Sequence, residues 1–237
     1  MKLRSHIAVS LVCVGLATAA GAYIPSAASL LRRAAARVNE GGKSKEAALS
    51  GWLTIADQAP VNARLTLSFP LGCALDANGK TASFKAGKTE DGGLGSQAAE
   101  LLTLVCPLIA NRGLNANDAE LALRGAAQRA GVPAEFLPTS LARLYDRVAI
   151  VLGAGPRQLD RPQLWLYKET SAPARLLAKV GDQLHDLRLL QYGNPAAGEW
   201  FPRSIELWQG EALLARFESL SIAGFKDTPP AEEQDDE

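Results

Sequence analysis

The sequence of 237 residues has few of the side chains that most catalytic and metal-binding sites require. It holds two histidines, which argues against zinc sites and against histidine-based acid–base catalysis. Its 25 basic residues balance its 25 acidic residues, which argues against a general nucleic-acid binder and against a disordered chain. Apolar residues make up 47% of the chain, enough for one ordinary domain. We therefore expect a folded domain with no cofactor and no nucleic-acid partner.

Catalytic and phosphate-binding motifs are also missing or incomplete. No serine stands in a G-x-S-x-G nucleophile elbow. The glycine-rich residues 92–96 lack the Lys-Ser/Thr ending of a phosphate-binding loop, and residues 153–156 lack the third glycine of a dinucleotide-binding turn. Without a nucleophile motif, His185 is better explained as a structural histidine of a strand than as a general base. The sequence predicts no enzyme, although a hydrolase that uses His185 stays open as an alternative.

The chain begins with features of an export signal. Lys2 and Arg4 precede residues 7–20, which are mostly apolar but shorter than the roughly 20 residues of a transmembrane helix. Ala20-Gly21-Ala22 is a small-x-small cleavage pattern. The sequence therefore predicts a signal peptide over residues 1–22 and a periplasmic or secreted mature protein without a transmembrane span.

The other end of the chain is acidic. Five of the last seven residues are Asp or Glu, and they follow Pro229-Pro230. Such an ending is typical of a solvated tail. We expect a single α+β domain over residues 23–226 and an acidic disordered tail over residues 227–237.

Removal of the signal peptide leaves Cys73 and Cys106 as the two cysteines of the mature chain. In an oxidising compartment an even number of cysteines usually pairs, so a disulfide between them is expected. The alternative is two separate buried thiols, since free cysteine is often buried.

Hydrophobic periodicity predicts helices and strands in separate blocks along the chain. Apolar stripes at helical spacing predict helices over residues 29–40, 98–110, 117–131 and 140–145. Alternating patterns predict strands over residues 49–55, 61–69, 81–86, 148–152, 163–169, 175–180, 184–192, 203–209 and 212–219, with a loop at 88–95. Short consecutive strands favour an antiparallel meander, and the block order is that of an α+β fold.

Several strands carry aromatic side chains where polar residues are expected. Trp52 falls on the polar face of its strand, and Trp165 and Tyr167 share the face opposite Leu164 and Leu166. Strands that are apolar on both faces must be covered on both. Simple core packing is one interpretation. The other is a curved sheet over an apolar cavity that takes a hydrophobic ligand such as an acyl chain.

Short motifs along residues 29–222 resemble the LolA/LolB-like periplasmic lipoprotein carriers and lipoprotein-sorting proteins. The similar segments are the first predicted helix, Gly51-Trp52-Leu53, Ala63-Arg64-Leu65 leading to Phe69-Pro70, Gln163-Leu-Trp-Leu-Tyr167, and Trp200-Phe201-Pro202-Arg203-Ser-Ile-Glu-Leu207.

This resemblance implies a curved, unclosed antiparallel sheet, half-barrel-like, with helices covering one face. It implies a non-enzymatic protein that holds a lipid or lipoprotein acyl chain in an apolar cavity, with Trp52, Arg64, Trp165 and Tyr167 as candidate ligand-binding residues. The alternation of residues 61–69 places Arg64 on the polar face of its strand. An envelope structural or sensing module that binds another envelope protein is the second interpretation.

Overall fold

The computed structural model describes residues 25–40, 44–133, 135, 138–193 and 201–223. The expected signal peptide over residues 1–22 and the expected tail over residues 227–237 lie outside these residues, and both stay predictions.

Three helices and twelve strands form within the described residues. The helices are α1 (Ala27–Glu40), α2 (Ser96–Ile109) and α3 (Ala116–Arg129). The strands are β1 (Glu46–Ile55), β2 (Val61–Ser68), β3 (Gly72–Ala77), β4 (Lys80–Lys85), β5 (Lys88–Gly92), β6 (Pro138–Leu144), β7 (Arg147–Gly153), β8 (Gln163–Tyr167), β9 (Pro173–Val180), β10 (Gln183–Tyr192), β11 (Pro202–Gln209) and β12 (Ala212–Ala223).

All twelve strands belong to one sheet in the order β5-β4-β3-β2-β1-β12-β11-β10-β9-β8-β7-β6. Each neighbouring pair is antiparallel, and the pairing of β1 with β12 joins the first and last strands at the centre. Strands β5 and β6 are the two edges, so the sheet is not closed into a barrel. The expected fold class, an unclosed antiparallel sheet with helices over one face, is confirmed.

The two faces of the sheet differ in chemistry. On β1 and β2, Leu49, Leu53 and Leu65 are buried beneath the helices, whereas Trp52 and Arg64 lie on the opposite face. The same alternation continues through most of the sheet, so one apolar core joins all three helices to ten strands, β1–β4 and β7–β12. Each fully buried leucine contributes roughly 2 kcal/mol to stability. We call the side under the helices the inner face and the other side the outer face.

The helices are fixed at identifiable points. The Asn115 side chain caps α3 by accepting hydrogen bonds from the backbone N–H groups of Asn117 and Asp118, at 3.1 and 2.9 Å. Helix α2 contains Pro107 near its end and is joined to β3 by the Cys73–Cys106 disulfide, with the two Cα atoms 5.9 Å apart.

Local pattern gave the wrong structure in three places. Residues 140–145 were expected to be helical, but β6 is a strand because it pairs in register with β7. The expected loop at residues 88–95 contains β5, which pairs with β4. Strand β3, with the sequence GCALDA, was not expected because alanine and aspartate have low β-propensity. In each case a neighbouring strand overrides a weak local preference.

Candidate functional site

A cavity of about 240 Å³ lies between α2, α3 and strands β4 and β9. Its apolar lining includes Phe84 from β4, Leu104 and Pro107 from α2, Ala126 from α3, and Leu176 from β9. The cavity therefore sits on the inner face, where α2 and α3 lie between strands from opposite halves of the sheet, β4 and β9.

The carboxyl end of α3 forms one wall of this cavity because it is docked on β9. The backbone N–H of Lys179 donates a 2.8 Å hydrogen bond to the carbonyl oxygen of Ala130. Gly131 follows with a φ of 86°, and a Cβ there would stand 3.3 Å from the Cβ of Lys179. Glycine therefore permits both the turn after the helix and its close approach to the strand.

Two basic residues complete the lining of the cavity. Arg129 is the last residue of α3 and Lys179 lies on β9, and both side chains are exposed. Within the part of the chain that the structure describes, neither forms an ion pair, and the lining contains no acidic residue. The apolar cavity therefore has positive charge and no negative charge at its border.

The four residues proposed from the sequence lie on the outer face. Trp52 is 37% exposed and stands opposite Asn62 and Glu218, and Arg64 is exposed opposite Asp76. Trp165 and Tyr167 are buried, but in a smaller cluster separate from the main core. None of the four lines the 240 Å³ cavity. Their role in ligand binding stays a prediction.

Trp165 and Tyr167 are covered by arginine side chains of neighbouring strands. The Arg175 guanidinium lies 5.1 Å from the Trp165 ring centroid, and that of Arg147 lies 4.1 Å from the Tyr167 centroid. Asp186 accepts two 2.7 Å hydrogen bonds from Arg175, and burial raises the pKa of Tyr167. These contacts are typical of cation–π pairs that shield an aromatic surface from water.

This arginine layer continues toward the centre of the sheet. Arg188 also donates to Asp186 and lies 5.0 Å from the Trp208 ring, and Arg216 forms an ion pair with Glu206 at 3.2 Å. The aromatic residues on the outer face of β8 and β11 are therefore largely covered by arginine side chains of the protein itself.

His185 connects the helix layer to the sheet. It is 6% exposed, and its Nδ1 contacts the carboxylate of Glu100 in α2. The contact anchors α2 over β10. The described residues contain no cluster of three or more His, Cys, Asp or Glu side chains that could hold a metal ion. No described helix combines the length and apolar character needed to cross a membrane.

A buried arginine was not expected from the sequence. Arg112 is 2% exposed, and its guanidinium lies 4.9 Å from the ring centroid of Phe69 and 5.6 Å from that of Phe201. The two rings stack with centroids 6.1 Å apart, and burial lowers the pKa of Arg112. Nothing in the local sequence marks this site, because the two rings come from distant segments.

No family model and no curated protein matches the sequence. Among the solved structures that are similar over most of the chain are the following three. A LolA superfamily protein from Nitrosomonas europaea is 13% identical with a TM-score of 0.43, over 84% of this chain and 93% of that chain. A putative outer membrane lipoprotein-sorting protein domain from Vibrio parahaemolyticus is 10% identical with a TM-score of 0.47, over 88% and 96%. A DUF1329 family protein from Desulfovibrio piger is 11% identical with a TM-score of 0.43, over 86% and 95%.

The chain resembles LolA superfamily and lipoprotein-sorting proteins. Two of these structures belong to the family that the sequence resembles. Identities of 10–13% and TM-scores below 0.5 assign neither a ligand nor a role to any residue.

Proposed function

We propose that this protein is a non-enzymatic carrier of the cell envelope that holds the acyl chain of a lipid or lipoprotein between its helices and its sheet. The observation that carries the proposal is the apolar cavity of about 240 Å³ under the helix layer. It is bordered by two helices, α2 and α3, as well as by strands β4 and β9.

The volume of the cavity is suitable for part of one acyl chain. A dry cavity of about 150 Å³ binds benzene, which has six carbon atoms, so 240 Å³ holds about ten carbons by proportion. Each buried methylene contributes about 0.8 kcal/mol, so ten contribute about 8 kcal/mol before the entropy of association is subtracted. This gross free energy is sufficient for measurable binding.

The attachments of the helices indicate which ones move when a chain enters. Helix α2 is held to the sheet by the disulfide, by Glu100–His185, and by a 2.6 Å hydrogen bond between Thr103 and Thr89. Helices α1 and α3 contact each other, with Arg32 and Arg124 both bound to Glu120. We therefore assign opening to a joint displacement of α1 and α3 while α2 remains on the sheet, with the carboxyl end of α3 held on β9 by the hydrogen bond between Lys179 and Ala130.

The proposed location rests on the sequence and on the disulfide. The expected signal peptide directs the chain out of the cytoplasm, and disulfides persist in oxidising compartments. Both features support a periplasmic or secreted protein.

The test is to purify the exported protein gently, extract it with organic solvent, and analyse the extract by mass spectrometry. We expect bound lipid in the original protein and little in Ala126→Phe, because the new ring occupies the cavity. Ala36→Phe, at an exposed position of α1, is the matched control and should retain the lipid. Equal lipid in Ala126→Phe and the original protein would place the lipid elsewhere and contradict the proposal.

The second candidate function is a structural or sensing module that binds another envelope protein. One observation favours it: the cavity is smaller than the roughly 300–1,000 Å³ of most ligand pockets. An extract free of lipid, together with co-purification of an envelope protein, would support this candidate.

A further inference from the structure

The border of the cavity has a charge pattern that the apolar lining does not explain. Arg129 and Lys179 come from a helix and a strand that are 50 residues apart in the sequence, and both line the same cavity. Glu100, the acidic residue of α2, is already bound to His185. An anionic group at the border of the cavity would therefore lie near two basic residues and near no carboxylate of the lining.

Structural roles account for only one of these cations. Arg129 ends α3, where a positive charge interacts favourably with the helix dipole. Lys179 has no such role: the docking of α3 uses its backbone N–H, which any residue other than proline supplies. Its charged, exposed side chain is not required for this contact.

We propose that the ligand is a single-chain amphiphile with an anionic head, whose chain occupies the cavity and whose head binds Arg129 and Lys179. This inference rests on the proposed function and specifies its ligand. The volume, which holds about ten carbons, excludes several complete chains at once in this conformation. A carboxylate and a phosphate monoester share the required chemistry, because both accept hydrogen bonds from arginine and lysine.

The probes for the test are dodecanoate, lauroyl lysophosphatidate, dodecyltrimethylammonium and dodecan-1-ol, with binding measured by titration calorimetry below their micellar concentrations. The double variant Arg129→Gln/Lys179→Gln removes both charges and keeps polar, though shorter, side chains. Its matched control is Lys45→Gln/Lys168→Gln, which removes two exposed charges that do not line the cavity.

We expect the original protein to bind both anionic probes more tightly than the cationic probe. Each exposed charge contributes a few-fold, so the double variant should bind dodecanoate about tenfold more weakly. Its affinity for dodecan-1-ol should be unchanged, and the control variant should behave like the original protein. Raising the salt concentration from about 50 to about 500 mM should weaken the binding of dodecanoate and leave the binding of dodecan-1-ol unchanged.

The outcomes separate this inference from the proposed function. Tighter binding of the lysophosphatidate than of dodecanoate identifies a phosphate head, and tighter binding of dodecanoate identifies a carboxylate. Equal binding supports recognition of the negative charge in either head. If all four probes bind equally to the original protein and to the double variant, head-group recognition is refuted while the acyl-chain cavity stands. If no probe binds, both the inference and the proposed function fail.

Discussion

The Cys73–Cys106 disulfide should contribute strongly to the free energy of unfolding. Replacing both cysteines with alanine removes the bond and changes the volume of the core only slightly. Cys73 and Cys106 are both buried and are 33 residues apart, so their bond closes a loop that ties α2 to β3. In the chain-entropy model a loop of this length stabilises the native state by about 3.7 kcal/mol at room temperature. We therefore expect Cys73→Ala/Cys106→Ala to lower the free energy of unfolding by about this amount.

The assay is urea unfolding of the mature protein followed by circular dichroism. Dithiothreitol should lower the unfolding midpoint of the original protein toward that of the double variant and leave the variant itself unchanged. A double variant within about 0.5 kcal/mol of the oxidised original protein would refute the reasoning, since the bond would then not constrain the unfolded chain.

Three further predictions concern charged groups. Asp186→Ala should lower the free energy of unfolding, measured with urea, by about 3 kcal/mol, because it leaves Arg175 without its carboxylate partner. The control Arg64→Ala, on the same face, should change the free energy of unfolding by less than about 0.5 kcal/mol. Equal effects of the two substitutions would contradict the packing role of the arginine layer on the outer face. Burial raises the pKa of Glu120, but hydrogen bonds from Arg124 and Arg32 outweigh it and lower the pKa below 4.5. Its stabilising contribution is therefore complete above pH 4.5 and lost as pH falls through the lower folded value, so melting curves of the original protein and Glu120→Gln should differ at neutral pH, by about 1 kcal/mol, and converge in acid; a difference independent of pH would refute this. Arg112→Ala should lower the unfolding free energy by about 2–3 kcal/mol in the urea assay through lost packing on two phenylalanine rings, and a loss below about 0.5 kcal/mol would contradict it.

Much of the fold was predictable because strand signals are local. The bounds of the six strands from β7 to β12 were expected to within a few residues from alternating patterns and turn residues. The β1–β2 hairpin was expected for the same reason, with its paired register Leu49–Leu65 now observed. Strand β6 was not, because Leu141 and Leu144 fit a short helix as well as an edge strand until β7 is placed beside it.

The candidate site was less predictable because its residues come from helices and strands that are distant in the sequence and meet only in the folded protein. Arg129 and Lys179 belong to separate elements, and no local pattern indicates that they border one cavity. The sequence showed that Trp165 and Tyr167 of β8 lie on the strand face opposite Leu164 and Leu166, and a bound hydrophobic ligand was one interpretation of what covers them. Their actual cover is the stems and guanidinium groups of Arg147 and Arg175, which depends on cross-strand register.

A bound acyl chain can be located directly in the crystal. Crystals grown with 12-bromododecanoate would reveal the bromine by its anomalous scattering. We expect the bromine on the inner face, among Phe84, Leu104 and Leu176, with the carboxylate toward Arg129 and Lys179. Bromine beside Trp52 or Trp165 on the outer face, or no ordered bromine at saturating ligand, would contradict it.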